Sequence, residues 1–166
     1  NEALTLYAIW TKKAGTRPAV QAPKPTKNSK TLTATVTFNA NGGSVDPTSD
    51  TCKATKSYTC SGYFAAASGG SAVCAAGANY TPDATKTLFA QFTSSVGAYS
   101  KITLPTPTRT GYTFSNWNSA SGGTGTSYTA GSKYAFNTNT TLYAQWTVVT
   151  YTITYNLNGG SVSSSN

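Results

Sequence analysis

The sequence predicts a mainly β chain of small tandem modules, with little or no helix. Three observations carry that expectation. Apolar side chains alternate with Thr and other polar residues at period two, the spacing of a strand with one buried face. Two motifs recur along the chain, and internal repetition of this kind marks a modular architecture. No window of ten or more residues shows an apolar stripe at helical spacing. Only 65–67 leaves room for one short helix, and the adjoining Gly69-Gly70 favours a loop there.

The first element, within 1–11, is a closing-type strand. Its motif Thr5-Leu6-Tyr7-Ala8-Ile9-Trp10-Thr11 returns at Thr87-Leu88-Phe89-Ala90-Gln91-Phe92-Thr93 and at Thr141-Leu142-Tyr143-Ala144-Gln145-Trp146-Thr147. In the last copy Leu142, Ala144 and Trp146 share one face and Thr141, Tyr143 and Gln145 the other. Residues 12–33 differ in kind. Pro18, Pro23 and Pro25 stand among six cations and few bulky apolar side chains, which reads as an extended basic linker.

An opening-type strand follows. Thr35-Val36-Thr37-Phe38-Asn39-Ala40-Asn41-Gly42-Gly43-Ser44-Val45 aligns with Thr152-Ile153-Thr154-Tyr155-Asn156-Leu157-Asn158-Gly159-Gly160-Ser161-Val162. The Asn-Gly steps supply the positive φ of a tight turn. Residues 58–93 lie on 112–147 at an offset of 54, with 13 of 36 positions identical. The expected organisation is therefore a first module at 34–94 and a second at 95–148. A leading fragment at 1–11 and a trailing one at 149–166 are orphan closing and opening strands. The expected module core is Val36, Phe38, Leu88, Phe92, Phe114, Trp117, Leu142 and Trp146. Trp117 and Trp146 are matched by Tyr63 and Phe92, so an aromatic is used at both positions in each copy, as a core anchor would be.

Composition narrows the chemistry. The 166 residues include 31 Thr, 19 Ser and 15 Gly, but four acids and no His or Met. Without His, neither Ser-His nor Cys-His catalysis nor imidazole metal ligation is available. With Glu2, Asp46, Asp50 and Asp83 as the only carboxylates, an oxygen-rich calcium cage is hard to build. The expectation is no enzyme activity and no cofactor. The net charge of +8 resembles a nucleic-acid signature, but six of the twelve cations lie in 12–33 and the remainder is nearly neutral. Arg is scarce, so a solvated linker fits better than a nucleic-acid partner. No run approaches the length of a membrane span, and no membrane insertion is expected.

The opener 35–45, the middle 104–124, which begins Leu104-Pro105-Thr106-Pro107-Thr108-Arg109-Thr110-Gly111-Tyr112-Thr113-Phe114, and the closer 141–147 resemble the Listeria–Bacteroides repeat, an internalin B-repeat-like module. The resemblance implies a β-grasp-like fold, a place in tandem-repeat bacterial surface proteins, and an adhesive or stalk-forming role without catalytic residues. The chain departs from the family pattern at Gly62-Tyr63, and 58–93 is followed by no second Asn-Gly-Gly opener before 104.

Cys60 occupies the repeat position of Phe114, and Cys74 that of Tyr128. A pair of positions holding two thiols in one copy and two aromatics in the other suggests contact, so Cys60–Cys74 is the expected disulfide. Cys52–Cys60 and Cys52–Cys74 are the alternatives. An oxidising, extracellular location suits such a bridge.

The orphan strands shape the functional expectation. A lone strand leaves its backbone edge and apolar face unpaired. Leu4, Leu6, Ala8 and Trp10 of one strand and Ile153, Tyr155 and Leu157 of the other are complementary halves of a split terminal module. They could complete one another within one chain, giving three modules; the leading expectation is strand pairing between neighbours, giving a head-to-tail homopolymer, an extracellular filament or surface fibre. The chain starts at Asn1 rather than Met, as a processed or excised piece would. The competing expectation is a monomeric adhesin that binds cell-surface glycan or a host surface.

Overall fold

The computed structural model describes residues 18–162, in which alternating Thr and apolar residues fold as strands between Val20 and Val148. No helix occurs among the described residues. The strands are β1 (Val20–Gln21), β2 (Lys30–Asn39), β3 (Ser49–Phe64), β4 (Ala72–Cys74), β5 (Asn79–Tyr80), β6 (Phe89–Val96), β7 (Ile102–Thr103), β8 (Tyr112–Asn118), β9 (Ser127–Tyr128), β10 (Lys133–Tyr134) and β11 (Thr140–Val148).

Two units form, and they interleave along the chain. Within the described residues the first unit takes 18–30 and 56–96, and the second takes 31–55 and 97–162. This corrects the expected boundaries of 34–94 and 95–148. The opening strand β2 does not join β6, the closing strand of the module expected at 34–94; it lies between β3 and β11 and runs parallel to β11, with Val36 opposite Thr140 and Phe38 opposite Leu142. A parallel pair needs a long crossover rather than a hairpin, and the chain between β2 and β11 contains most of the first unit.

In the second unit β11 also pairs antiparallel with β8, and β8 with β9. β3 lies beside β2, and β7 forms a small ladder with β10. The core packs Ala34, Val36 and Phe38 of β2 against Trp117, Leu142 and Ala144, with Cys52, Ile102, Leu104 and Phe136 closing it. Phe38 sits 5.3 Å from Trp117, ring centre to ring centre. The Trp117 indole N–H donates to the carbonyl of Pro105 at 2.8 Å, which satisfies the one polar group of a fully buried ring.

The first unit reproduces the same register. β3 pairs with β6 so that Tyr58, Thr59, Cys60, Gly62, Tyr63 and Phe64 face Ser94, Thr93, Phe92, Gln91, Ala90 and Phe89. Adding 54 to each number gives the β8–β11 pairs of the second unit, including the irregularity at the same place. Tyr63 faces Cys74 as Trp117 faces Tyr128. The repeat read from the sequence is thus a repeat of hydrogen-bond register.

Of the stretch expected to be a basic linker, the described residues 18–30 are a structural part of the first unit. β1 pairs with β5 through Val20–Tyr80 and Gln21–Asn79, as β7 pairs with β10 through Ile102–Tyr134 and Thr103–Lys133. Ala22 exchanges backbone hydrogen bonds with Gly77 and Ala78, and Leu104 does so with Gly131 and Ser132. Residues 20–27 are a second copy of 102–109. Val20, Ala22, Pro23, Pro25, Thr26 and Lys27 stand for Ile102, Leu104, Pro105, Pro107, Thr108 and Arg109. Lys27 lies over the Tyr58 ring, and Arg109 over the equivalent Tyr112 ring.

Candidate functional site

The residues singled out from the sequence fall into three places. Val36, Phe38, Trp117 and Leu142 are buried in the second unit, with Phe114 and Trp146 packed against them. Leu88 and Phe92 occupy the equivalent positions of the first unit and are only half-buried. Ile153, Tyr155 and Leu157 are exposed. The expected assembly residues Leu4, Leu6, Ala8 and Trp10 lie outside the described residues.

The seat that β2 occupies in the second unit shows what an opening strand requires. Its alternate side chains Ala34, Val36 and Phe38 enter the core, while Thr35 and Thr37 stay outside. The turn after it is also anchored. The Asn41 amide donates to the Ala144 carbonyl at 3.2 Å, and the Trp146 indole donates to the Ala40 carbonyl at 2.9 Å. Gly43 fits only as glycine: an added Cβ would lie 2.5 Å from the Thr108 carbonyl and 2.7 Å from the Trp146 ring.

The first unit presents the same fittings around an open cleft. Val20, Ala22, Tyr63, Cys74, Tyr80 and Leu88 line a space of about 300 Å³. Their repeat counterparts Ile102, Leu104, Trp117, Tyr128, Tyr134 and Leu142 all belong to, or pack on, the closed core. Every buried apolar side chain among the described residues belongs to the second unit. β6 starts at Phe89, whereas β11 starts at Thr140, the counterpart of Lys86. The three residues by which β11 starts earlier, 140–142, are among those that pair with β2. Among the described residues β6 pairs with β3 alone.

The second opening-type segment, 151–162, repeats the geometry of the β2 turn without its burial. Asn158 and Gly159 have φ of 48° and 86°, against 50° and 89° at Asn41 and Gly42. Asn156 accepts from the Asn158 amide at 2.9 Å, as Asn39 does from Asn41. Yet Tyr151, Ile153 and Tyr155 are 87%, 73% and 78% exposed, where Ala34, Val36 and Phe38 are 0%, 0% and 3%.

The cysteines do not meet as expected. Cys52, Cys60 and Cys74 are free thiols, so the Cys60–Cys74 disulfide is corrected. Cys60 faces Phe92 and Cys74 faces Tyr63, three positions apart along β3. Even with the bulge, that offset is of the order of 10 Å along a strand, beyond disulfide reach. Cys52 is fully buried, its sulfur accepting from the Phe136 amide at 3.4 Å.

Electrostatics adds little chemistry. Asp46, Asp50 and Asp83 are exposed. A hydrogen bond from Lys86 holds the Asp83 carboxyl below its ordinary range, and the same contact raises the Lys86 ammonium. The Thr129 amide donating to the Tyr134 phenol oxygen lowers that phenol. No cluster of three or more His, Cys, Asp or Glu gathers among the described residues.

One polar device had no signal in the sequence. Asn118 is buried, and its amide donates to the carbonyls of Gly123 and Gly125 and to the Ser127 hydroxyl. Its oxygen accepts from the Ala120 and Gly125 amides. A single Asn followed by a Gly-rich loop was the only trace. Gln145 and Gln91 grip the corresponding turn of each unit, at Ala120 and Ser121 in one and at Ala66 and Gly69 in the other.

Comparison with known proteins bears on this repeated register. Residues 66–145 match the Listeria-Bacteroides repeat domain. The chain carries a Listeria-Bacteroides repeat. Such repeats are typically surface-associated. A protein of Evansella cellulosilytica described as a "Putative Gly-rich membrane protein" is 36% identical over 76 residues, covering 43% of this chain and 9% of that protein. The chain therefore spans a small part of its relative's length. No solved structure matches. No helix among the described residues is long and apolar enough to cross a membrane. The Listeria-Bacteroides repeat match extends from the first unit into the second, and covers β4 to β6 together with β7 to β10 and most of β11.

Proposed function

We propose that this chain is a structural segment of an extracellular filament or tandem-repeat surface fibre, without enzymatic activity or cofactor, in which neighbouring subunits join head to tail by strand exchange. One observation carries the reading. The segment 151–162 has the sequence and formed turn of an opening strand, but its core-facing side chains are exposed. Exposed alternating apolar residues at an unpaired backbone are an association site by default. The parallel pairing of β2 with β11 also favours a β-grasp-like unit in which first and last strands sit side by side. The Gly-rich membrane protein of E. cellulosilytica supports placement at the cell surface.

The test is sedimentation of the purified chain over a hundredfold range of concentration, followed by negative-stain microscopy. Concentration-dependent growth into linear particles supports the reading; a monomer at every concentration refutes it. A second reading, a monomeric glycan-binding adhesin, draws on the cation–aromatic pairs Lys27–Tyr58 and Arg109–Tyr112 at the surface. Binding on a glycan array, lost on replacing Tyr112, would favour it.

A further inference from the structure

We infer that the first unit is the acceptor for strand exchange, and that residues 152–158 of a second copy of this chain enter it parallel to β6, with Ile153 opposite Lys86 and Tyr155 opposite Leu88. The inference rests on the strand-exchange reading and adds the seat, the direction and the register.

The second unit supplies the template. There an opening strand lies parallel to the closing strand, with Val36, Thr37, Phe38 and Asn39 facing Thr140, Thr141, Leu142 and Tyr143. Subtracting 54 from the closing strand gives Lys86, Thr87, Leu88 and Phe89. Adding 117 to the opening strand gives Ile153, Thr154, Tyr155 and Asn156. Both offsets are those of the sequence repeats. The first offset also holds for the β3–β6 pairs from Tyr58–Ser94 to Phe64–Phe89.

Three features of the first unit fit this occupant. Its cleft is lined by the counterparts of the residues that receive Ala34, Val36 and Phe38 in the second unit. Leu88 is half-buried where Leu142 is fully buried, so apolar surface remains to be covered. Residues 86–88 are not in a strand, although their counterparts 140–142 are. Addition of a parallel neighbour would extend β6 to match β11.

The donor is prepared for the same seat. Its turn is already folded in the form that β2 has when docked, which lowers the ordering penalty of binding. Asn158 stands where Asn41 reaches the Ala144 carbonyl, and the counterpart acceptor is the Ala90 carbonyl. Tyr155 replaces Phe38 and Tyr63 replaces Trp117, so an aromatic pair is conserved in kind at the centre of the seat.

The experiment uses the full chain in three forms: wild type, the donor variant Ile153→Lys/Tyr155→Lys, and the acceptor variant Leu88→Lys. Sedimentation equilibrium reads association, and hydrogen exchange reads the amides of 86–89. The expected result is that each variant alone associates at least about 100-fold more weakly than wild type. An equimolar mixture of the two variants gives a one-to-one dimer, because one keeps the acceptor and the other the donor. The amides of 86–89 are protected in the wild type and exchange faster in the donor variant. The donor substitutions fall on exposed residues, so this comparison holds even if Leu88→Lys unfolds the first unit. If wild type and both variants associate equally, with 86–89 exchanging alike, the seat is elsewhere and the inference is overturned while strand exchange survives. A wild type that stays monomeric overturns both. So does protection of 86–89 in a monomer, which would place the strand within its own molecule.

Discussion

Phe38→Ala tests the finding that β2 belongs with the closing strand β11 rather than with the nearer closing strand β6. Phe38 is 3% exposed and packs its ring 5.3 Å from Trp117, with Leu142 opposite it in the ladder. Truncating a buried Phe to Ala removes its transfer energy and leaves a cavity, together about 3–5 kcal/mol. With an m-value of roughly 1–2 kcal/mol/M in urea, the midpoint falls by about 1.5 M or more. The assay is urea unfolding followed by tryptophan fluorescence in a Trp10→Phe background. Trp117 and Trp146 then both report the second unit, because the first unit has Tyr63 and Phe92 at those positions. Hydrogen exchange should show protection lost along Thr140–Val148 and kept along Phe89–Val96. A shift below about 0.5 kcal/mol, or protection lost from Phe89–Val96 instead, would refute the pairing.

Further outcomes follow from the same structure. Asn118→Ala strips the 119–126 loop of its buried hydrogen-bond hub and should lower the stability of the second unit by about 2–4 kcal/mol in the same fluorescence assay. A thiol reagent should titrate Cys60 and Cys74 in the native chain, and Cys52 only after denaturation, because Cys52 is fully buried. Stability should be flat between about pH 5 and 7, since no His titrates there. Asp83, with its folded pKa lowered by Lys86, contributes fully above its unfolded value and loses that contribution as the pH falls through the lowered one. Any acid loss from this pair is therefore confined below about pH 4, as a thermal melt series would show.

Much of each unit could be read from residues alone, because register follows the repeat. The match of 58–93 to 112–147 placed Tyr63 with Trp117 and Gln91 with Gln145, and the ladders keep that correspondence pair by pair. Tight turns were legible where Asn-Gly demanded positive φ, at Asn41 and Asn158. The choice of partner for β2 was not legible. The closing strands 88–93 and 142–147 have the same alternation, so an opening strand fits either, and adjacency in sequence favoured the wrong one. The copy of 102–109 at 20–27 was hidden for a different reason. Ala22 replaces Leu104, and the surrounding cations gave the stretch the look of a solvated tether. Its prolines are the marker that survived: Pro23 and Pro25 repeat the spacing of Pro105 and Pro107. Cys60 and Cys74 mislead because a thiol pair standing where the other copy has an aromatic pair suggests contact, whereas the ladder offsets the two by three residues. Asn118 left no periodic trace, since one buried polar side chain contributes nothing to an apolar pattern.

The most direct measurement is a cross-link at the inferred register. In a Cys60→Ser/Cys74→Ser background, Lys86→Cys and Ile153→Cys are introduced together and the protein is oxidised mildly. Residues facing one another on paired strands lie about 5 Å apart at Cα, within disulfide range. A ladder of dimers, trimers and longer products on a non-reducing gel is the predicted result, absent when Cys is placed at Thr93 instead of Lys86. Monomer alone, or an equal ladder from the displaced pair, would contradict the account.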